Sequence, residues 1–268
     1  MPNDPRPTKA QRRDEARIKA QQLRAEQKKR ERRNRILAIS GLGAALLVLV
    51  VVVLYILGQG NKPLLADVAR PAGTTISGGI PITKGEPAPL SGDKVKTTTG
   101  VPVVSVYADF ICPNCGNFEK VNHADLDALQ AAGKIVLDYH PIAILDASST
   151  TNYSTRAAQS VAAVANGDPA HFVAYWDALF TDQPAEGSAG LSDAELATRA
   201  KAAGVSQSVI DSFLKGTYTD WVTKSTEQAT TKDGVKGTPT VYIDGKEWAG
   251  NWASAGVLKA AIEAAAKG

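Results

Sequence analysis

Apolar and polar residues fall into three regimes along this chain. Residues 8–34 are dominated by charge. Ala10, Ala16, Ile18, Ala20, Leu23 and Ala25 make too thin an apolar stripe for a core, which predicts a charged helix or a disordered arm. Residues 36–58 then run for 23 positions without a charge. As a helix this run spans about 34 Å, enough to cross a bilayer. A cleaved signal peptide would have an apolar region of only about 7–15 residues, ending at a small-x-small site. Here Gln59-Gly60-Asn61-Lys62-Pro63 follows instead, so an uncleaved transmembrane anchor is expected. Residues 59–75 lack periodicity and mix Pro, Gly and polar groups, the pattern of a linker.

From residue 76 the pattern is that of a folded domain. Residues 76–83 suit a short first strand, and Pro87 and Pro89 mark residues 85–92 as an exposed connection. Residues 101–109 (VPVVSVYAD) are β-branched and apolar, as expected of a strand buried on both faces in a mainly parallel sheet. Helical spacing of Phe118, Val121, Leu126 and Leu129 follows, with Pro113 suited to the first turn and Gly133 to the stop. Residues 135–144 read as the next strand of a strand–helix–strand unit. Residues 154–232 carry no strand pattern and predict a helical block, in which Ser192 to Glu195 has capping-box spacing and Phe172, Tyr175, Trp176 and Leu179 recur as core. Residues 237–243 read as a third strong strand, Asp244-Gly245 as a hairpin turn, residues 246–248 as the return strand and residues 257–267 as a closing helix. The expected fold class is α/β.

Charge sharpens the membrane reading. The net charge of +3 conceals an asymmetry, because residues 1–35 carry 13 Lys or Arg against 5 Asp or Glu, and the remainder 17 against 22. The basic arm has no aromatic residue for base stacking, which argues against nucleic acid and for membrane lipid. The cluster from Lys28 to Arg35 stands directly before the apolar run. The positive-inside rule then keeps the N-terminus cytoplasmic and places everything after residue 58 outside.

The only cysteines, Cys112 and Cys115, flank Pro113-Asn114 in that outer part, where an oxidising compartment lets a pair cycle as a disulfide. A loop so short adds little to stability, so chemistry explains the pair better. At a strand-to-helix junction the free N–H groups of the helix start favour a thiolate. Cys112 is expected at the N-cap, exposed and nucleophilic, and Cys115 one turn in, shielded and resolving. Tetrahedral zinc needs two further ligands, and no second cysteine pair exists. His123, His140 and His171 lack zinc-finger spacing, so neither a metal nor another cofactor is expected. His140 before Pro141 reads as structural, while His123 is left open. Thr238-Pro239, opening an apolar strand, suits a tight turn, often with a cis bond.

Phe110-Ile111-Cys112-Pro113-Asn114-Cys115-Gly116-Asn117-Phe118-Glu119 together with Gly237-Thr238-Pro239-Thr240 resembles the DsbA-like branch of the thioredoxin superfamily. The resemblance implies a thioredoxin fold over residues 76–268 with a helical insertion at about 154–232, preceded by the single transmembrane helix. It also implies that Cys112 takes the attack of a substrate thiolate, that Cys115 resolves the mixed disulfide, and that the Thr238 backbone pairs an extended substrate beside Pro239. Glu119 matches an acidic position with a possible proton-shuttle role. Implied partners are reduced exported proteins and a quinone-linked membrane oxidase of the DsbB or VKOR type. Asn114 departs from the histidine of well-studied oxidases in the family. Oxidation of exported proteins is the expected activity. Isomerisation, reduction, or a binding or chaperone role that keeps the pair as a remnant stay open, because redox direction has no visible motif.

Overall fold

A computed structural model describes residues 9–60, 63–213 and 215–267. Residues 1–8 of the expected basic arm and 61–62 of the expected linker lie outside the described residues. The chain divides into two compact units, Met1–Lys62 and Pro63–Gly268.

The first unit is one helix, α1 (Lys9–Gly60), in which the charged and apolar stretches run on without a break. Its Ala, Leu, Arg, Lys, Gln and Glu residues are strong helix formers, so the arm resolves as helix from Lys9. Among the described residues this is the one helix long and apolar enough to cross a membrane. Leu46, Leu47, Val51 and Leu54 on it are exposed.

The second unit carries, in order, β1 (Ile80–Thr83), β2 (Glu86–Pro87), β3 (Leu90–Ser91), β4 (Lys94–Val95), β5 (Val103–Ala108), α2 (Pro113–Ala131) and β6 (Val136–Pro141). A helical insertion follows as α3 (Tyr153–Gly167), α4 (Phe172–Phe180), α5 (Asp193–Ala202), α6 (Gln207–Phe213) and α7 (Thr219–Thr231). The chain closes with β7 (Thr240–Ile243), β8 (Lys246–Glu247) and α8 (Val257–Ala265). The main sheet has the order β2-β1-β6-β5-β7-β8.

The expected mainly parallel sheet is corrected. Among the described residues only β5 and β6 pair in parallel, while β1 on β6, β7 on β5 and β8 on β7 are antiparallel. The apolar character of β5 comes from its central position between two covered faces, whichever way its neighbours run. Period-two alternation puts Val104, Val106, Ala108, Leu137 and Tyr139 on one face, where they join the main core. Ser105, Tyr107, Asp138 and His140 take the other face. There Tyr107 stacks on His140 at 4.0 Å, and His140 Nε2 lies 2.9 Å from Asp138 Oδ2, so His140 is a buried structural residue as expected.

From Pro63 the chain belongs to the second unit, Leu65 is wholly buried, and the Thr75 N–H donates to Gly79 O at 2.8 Å. Leu65 stands in a stretch whose few apolar residues have no periodicity to betray its burial. The insertion runs from Tyr153 of α3 to Thr231 of α7, and Phe172, Tyr175, Trp176 and Leu179 of α4 are wholly buried. At α5, Ser192 and Glu195 form the reciprocal capping box. Asp244 and Gly245, both with positive φ, make the turn of the β7–β8 hairpin.

Candidate functional site

The site is assembled where β5 ends and α2 begins. Cys112 is the N-cap of α2, with extended backbone and Pro113 in the first turn. Its carbonyl accepts from the N–H groups of Cys115 at 3.0 Å and Gly116 at 3.3 Å, which curls the motif into the helix. Cys115 continues the buried stripe of Phe118, Asn122, Leu126 and Leu129, so helical spacing alone carries its thiol into the core. Both cysteines are free thiols.

From the far end of the insertion comes the turn before β7. The Thr238–Pro239 peptide is cis, and the Cys112 thiol donates to the Thr238 carbonyl at 3.3 Å. The structure therefore brings Cys112, Cys115, Thr238 and Pro239 together, although 126 positions separate Cys112 from Thr238. Cys112 is less open than expected, at 5% exposure, because this turn stands against it. The Thr238 hydroxyl is buried beside the pair.

The two sulfurs are electrostatically unequal. The Cys115 S–H lowers Cys112 most, against the opposing effect of burial, and Thr238 and the N–H groups of Cys115 and Asn114 add to it, so Cys112 sits at about 6. Cys115 is pushed up, first by burial and then by Cys112 itself. One sulfur is a thiolate near neutral pH and its partner a thiol.

Two polar residues absent from the sequence reading hold this arrangement. Asp109 is wholly buried at the end of β5. Its Oδ1 accepts from the Ile111 N–H at 3.1 Å and the Ser154 hydroxyl at 2.6 Å, and its Oδ2 from the Leu145 N–H at 2.9 Å. Burial pushes its carboxyl up to about 6 against these hydrogen bonds. Gln183, beyond α4, donates from Nε2 to the carbonyls of Phe110 and Cys112, each at 2.9 Å. The available signal for Asp109 was a lone acid closing an apolar strand three residues before the first cysteine. Gln183 gave none.

Glu119 does not join the cysteines. Its carboxylate accepts from Trp176 Nε1 at 2.8 Å and faces His123 and Asp177, and burial pushes it up to about 7. Among the described residues no hydrogen bond links it to either sulfur. Glu119, His123 and Asp177 bring three donor atoms within 4.8 Å of one another. Counting cysteines and zinc-finger spacings could not reveal such a grouping.

Residues 98–264 match the family model described as thioredoxin. The chain is 31% identical to oxidised DsbA of Mycobacterium tuberculosis, covering 71% of this chain and 93% of that one at a TM-score of 0.59. DsbG of the same organism, in its reduced form, is 32% identical, covering 69% of this chain and 86% of that one at a TM-score of 0.58. The serine/threonine-protein kinase PknE of M. tuberculosis is 33% identical over 159 residues, which is 56% of this chain and 27% of that longer protein. With the thioredoxin model spanning more than half of it, the chain belongs to the thioredoxin family, in the DsbA-like branch of thiol–disulfide oxidoreductases.

Proposed function

We propose that the Cys112–Cys115 pair works as an oxidase of exported proteins on the outer face of a membrane. A substrate thiolate attacks Cys112 Sγ of the oxidised pair, the Cys112–Cys115 bond breaks, and Cys115 leaves and takes up a proton. A second substrate thiolate then attacks the substrate sulfur of the mixed disulfide, and Cys112 leaves as a thiolate. The substrate loses two electrons and two protons, one proton to Cys115 and one to solvent, and gains a disulfide, while the protein ends reduced, with Cys112 a thiolate and Cys115 a thiol. A quinone-linked membrane oxidase of the DsbB or VKOR type would reoxidise it. The Thr238 backbone, beside Pro239, lines up an extended substrate, and Glu119 takes no step in this reaction.

The observation that carries the reading is the placement of Cys112 at the N-cap of α2, against the cis Thr238–Pro239 turn and beside the buried Cys115, an environment that lowers its thiol to about 6. Whatever stabilises the leaving thiolate stabilises the reduced form, and a stable reduced form makes the disulfide a stronger oxidant. The outward placement is supported by the apolar part of α1 and the basic cluster that precedes it. In this reading residues 1–35 are a cytoplasmic arm, residues 36–58 the anchor, and the DsbA-like domain lies outside.

Equilibration with glutathione buffers tests the direction. A potential near about −120 mV supports the oxidase, and one near about −270 mV, thioredoxin's value, overturns it in favour of a reductase. Cys115→Ala should leave long-lived mixed disulfides at Cys112. A Cys112→Ser chain that still supports disulfide formation in cells would mark a binding protein instead.

A further inference from the structure

Beyond the cysteines, Glu119 and His123 stand one turn apart on α2, and Asp177 of α4 faces them across a groove of about 520 Å³. His123 Nδ1 is 3.2 Å from Asp177 Oδ1 and 4.0 Å from Glu119 Oε2. The Trp176 indole fixes the other oxygen of Glu119, whose side chain is only 12% exposed, and so leaves Oε2 turned toward His123. Metal-binding carboxylates are commonly oriented by such an outer partner. Asp127 stands one further turn along α2. Among the described residues no lysine or arginine is ion-paired with Glu119, Asp127 or Asp177.

We propose that Glu119, His123 and Asp177 form a site for one divalent ion of the zinc class, with water from the groove completing its coordination. One imidazole and two carboxylates are a donor set that zinc accepts. Tetrahedral bonds of about 2.0–2.1 Å place donors roughly 3.3 Å apart. The His123–Asp177 pair already stands at that spacing, and the wider separations close by rotation of the part-exposed His123 and Asp177 side chains. A bound ion would clamp the helix that carries the cysteines to the helical insertion. The site is distinct from the thiols and does not depend on the direction of their electron flow.

The test uses the full chain in detergent micelles with Cys112 and Cys115 oxidised to their disulfide, so that thiolates cannot ligate. Titration with Zn²⁺ by calorimetry and with Co²⁺ by visible absorption should give one ion per chain and cobalt ligand-field bands without thiolate charge transfer. His123→Ala and Asp177→Asn should each abolish that binding while keeping the circular dichroism of the parent. A Cys112→Ser/Cys115→Ser chain should retain it. No binding to the oxidised chain, binding that survives both ligand substitutions, or binding only when the thiols are reduced would each overturn the site.

Discussion

The Ser154 hydroxyl donates to Asp109 Oδ1 at 2.6 Å, tying the first turn of the helical insertion to the residue that ends β5 and opens the cysteine loop. The same carboxylate holds Ile111 and Leu145, so one buried acid joins three segments. Asp109→Ala would strand the buried Ile111 N–H and Ser154 hydroxyl and the part-buried Leu145 N–H. At a cost of about 1–3 kcal/mol each for an unsatisfied group, it should destabilise the domain by about 3 kcal/mol or more, read from the urea midpoint.

Asp109 also has a pH signature. Its carboxyl is raised from 3.8 to about 6 on folding, mainly by burial, so the folded state binds the proton more tightly than the unfolded chain does. Its contribution is then fully present below pH 4 and is lost as the pH rises through 6. Asp109→Asn should flatten the fall in stability over that window. An unchanged slope in melts taken at pH 4, 5, 6 and 7 would show that Asp109 is not among the groups that titrate there.

The reactivity of Cys112 should follow its thiolate. Alkylation of the reduced chain by iodoacetamide should rise with pH to a plateau, with a midpoint at about 6. Thr238→Val removes a group that lowers Cys112, and Cys115→Ala removes the largest one, so both should move the midpoint upward, Cys115→Ala further. A midpoint that stays in place in both variants would leave the helix N–H groups as the sole cause.

Gln183→Ala isolates the tether on the motif loop. Cys112 O keeps its bonds from Cys115 and Gly116, whereas Phe110 O loses the donor that Gln183 supplies. A stability loss of about 1 kcal/mol is expected. Amide hydrogen exchange should quicken across residues 110–112 more than in β6, which Gln183 does not touch.

How much of this was legible in the sequence follows the range of each interaction. Helices α2 and α4, strand β5 and the capping box at Ser192 were readable because periodicity and capping act over a few residues. The cysteine pair and Thr238-Pro239 were readable because their residue types are chemically narrow. The tie of Asp109 to Ser154 spans 45 positions and that of Gln183 to Cys112 spans 71, and neither pair leaves a local pattern. The burial of Cys112 was missed for the same reason, since the turn against it lies 126 positions on. The antiparallel pairing of β7 on β5 escaped because a central strand reads alike beside either kind of neighbour.

Gly79 gives the sharpest steric prediction. A Cβ at this position would lie 2.2 Å from Asp138 Oδ1 and 2.5 Å from Oδ2, closer than atoms approach. The carboxylate cannot simply swing away, because Oδ2 is bound to His140 Nε2 at 2.9 Å and Ser105 Oγ at 3.4 Å in the buried face of the sheet. Gly79→Ala must therefore either displace Asp138, breaking the His140 pair, or push β1 off β6, which pair through Pro81 and Asp138. Overpacking of this kind costs about 1–3 kcal/mol. The cause can be separated from any effect on the backbone by adding Asp138→Ala, which removes the obstructing oxygens. If the clash is the cause, the double variant loses less stability than the two single losses combined, with a coupling of about 1 kcal/mol or more in urea melts. Strict additivity would place the cost in the turn itself rather than against Asp138.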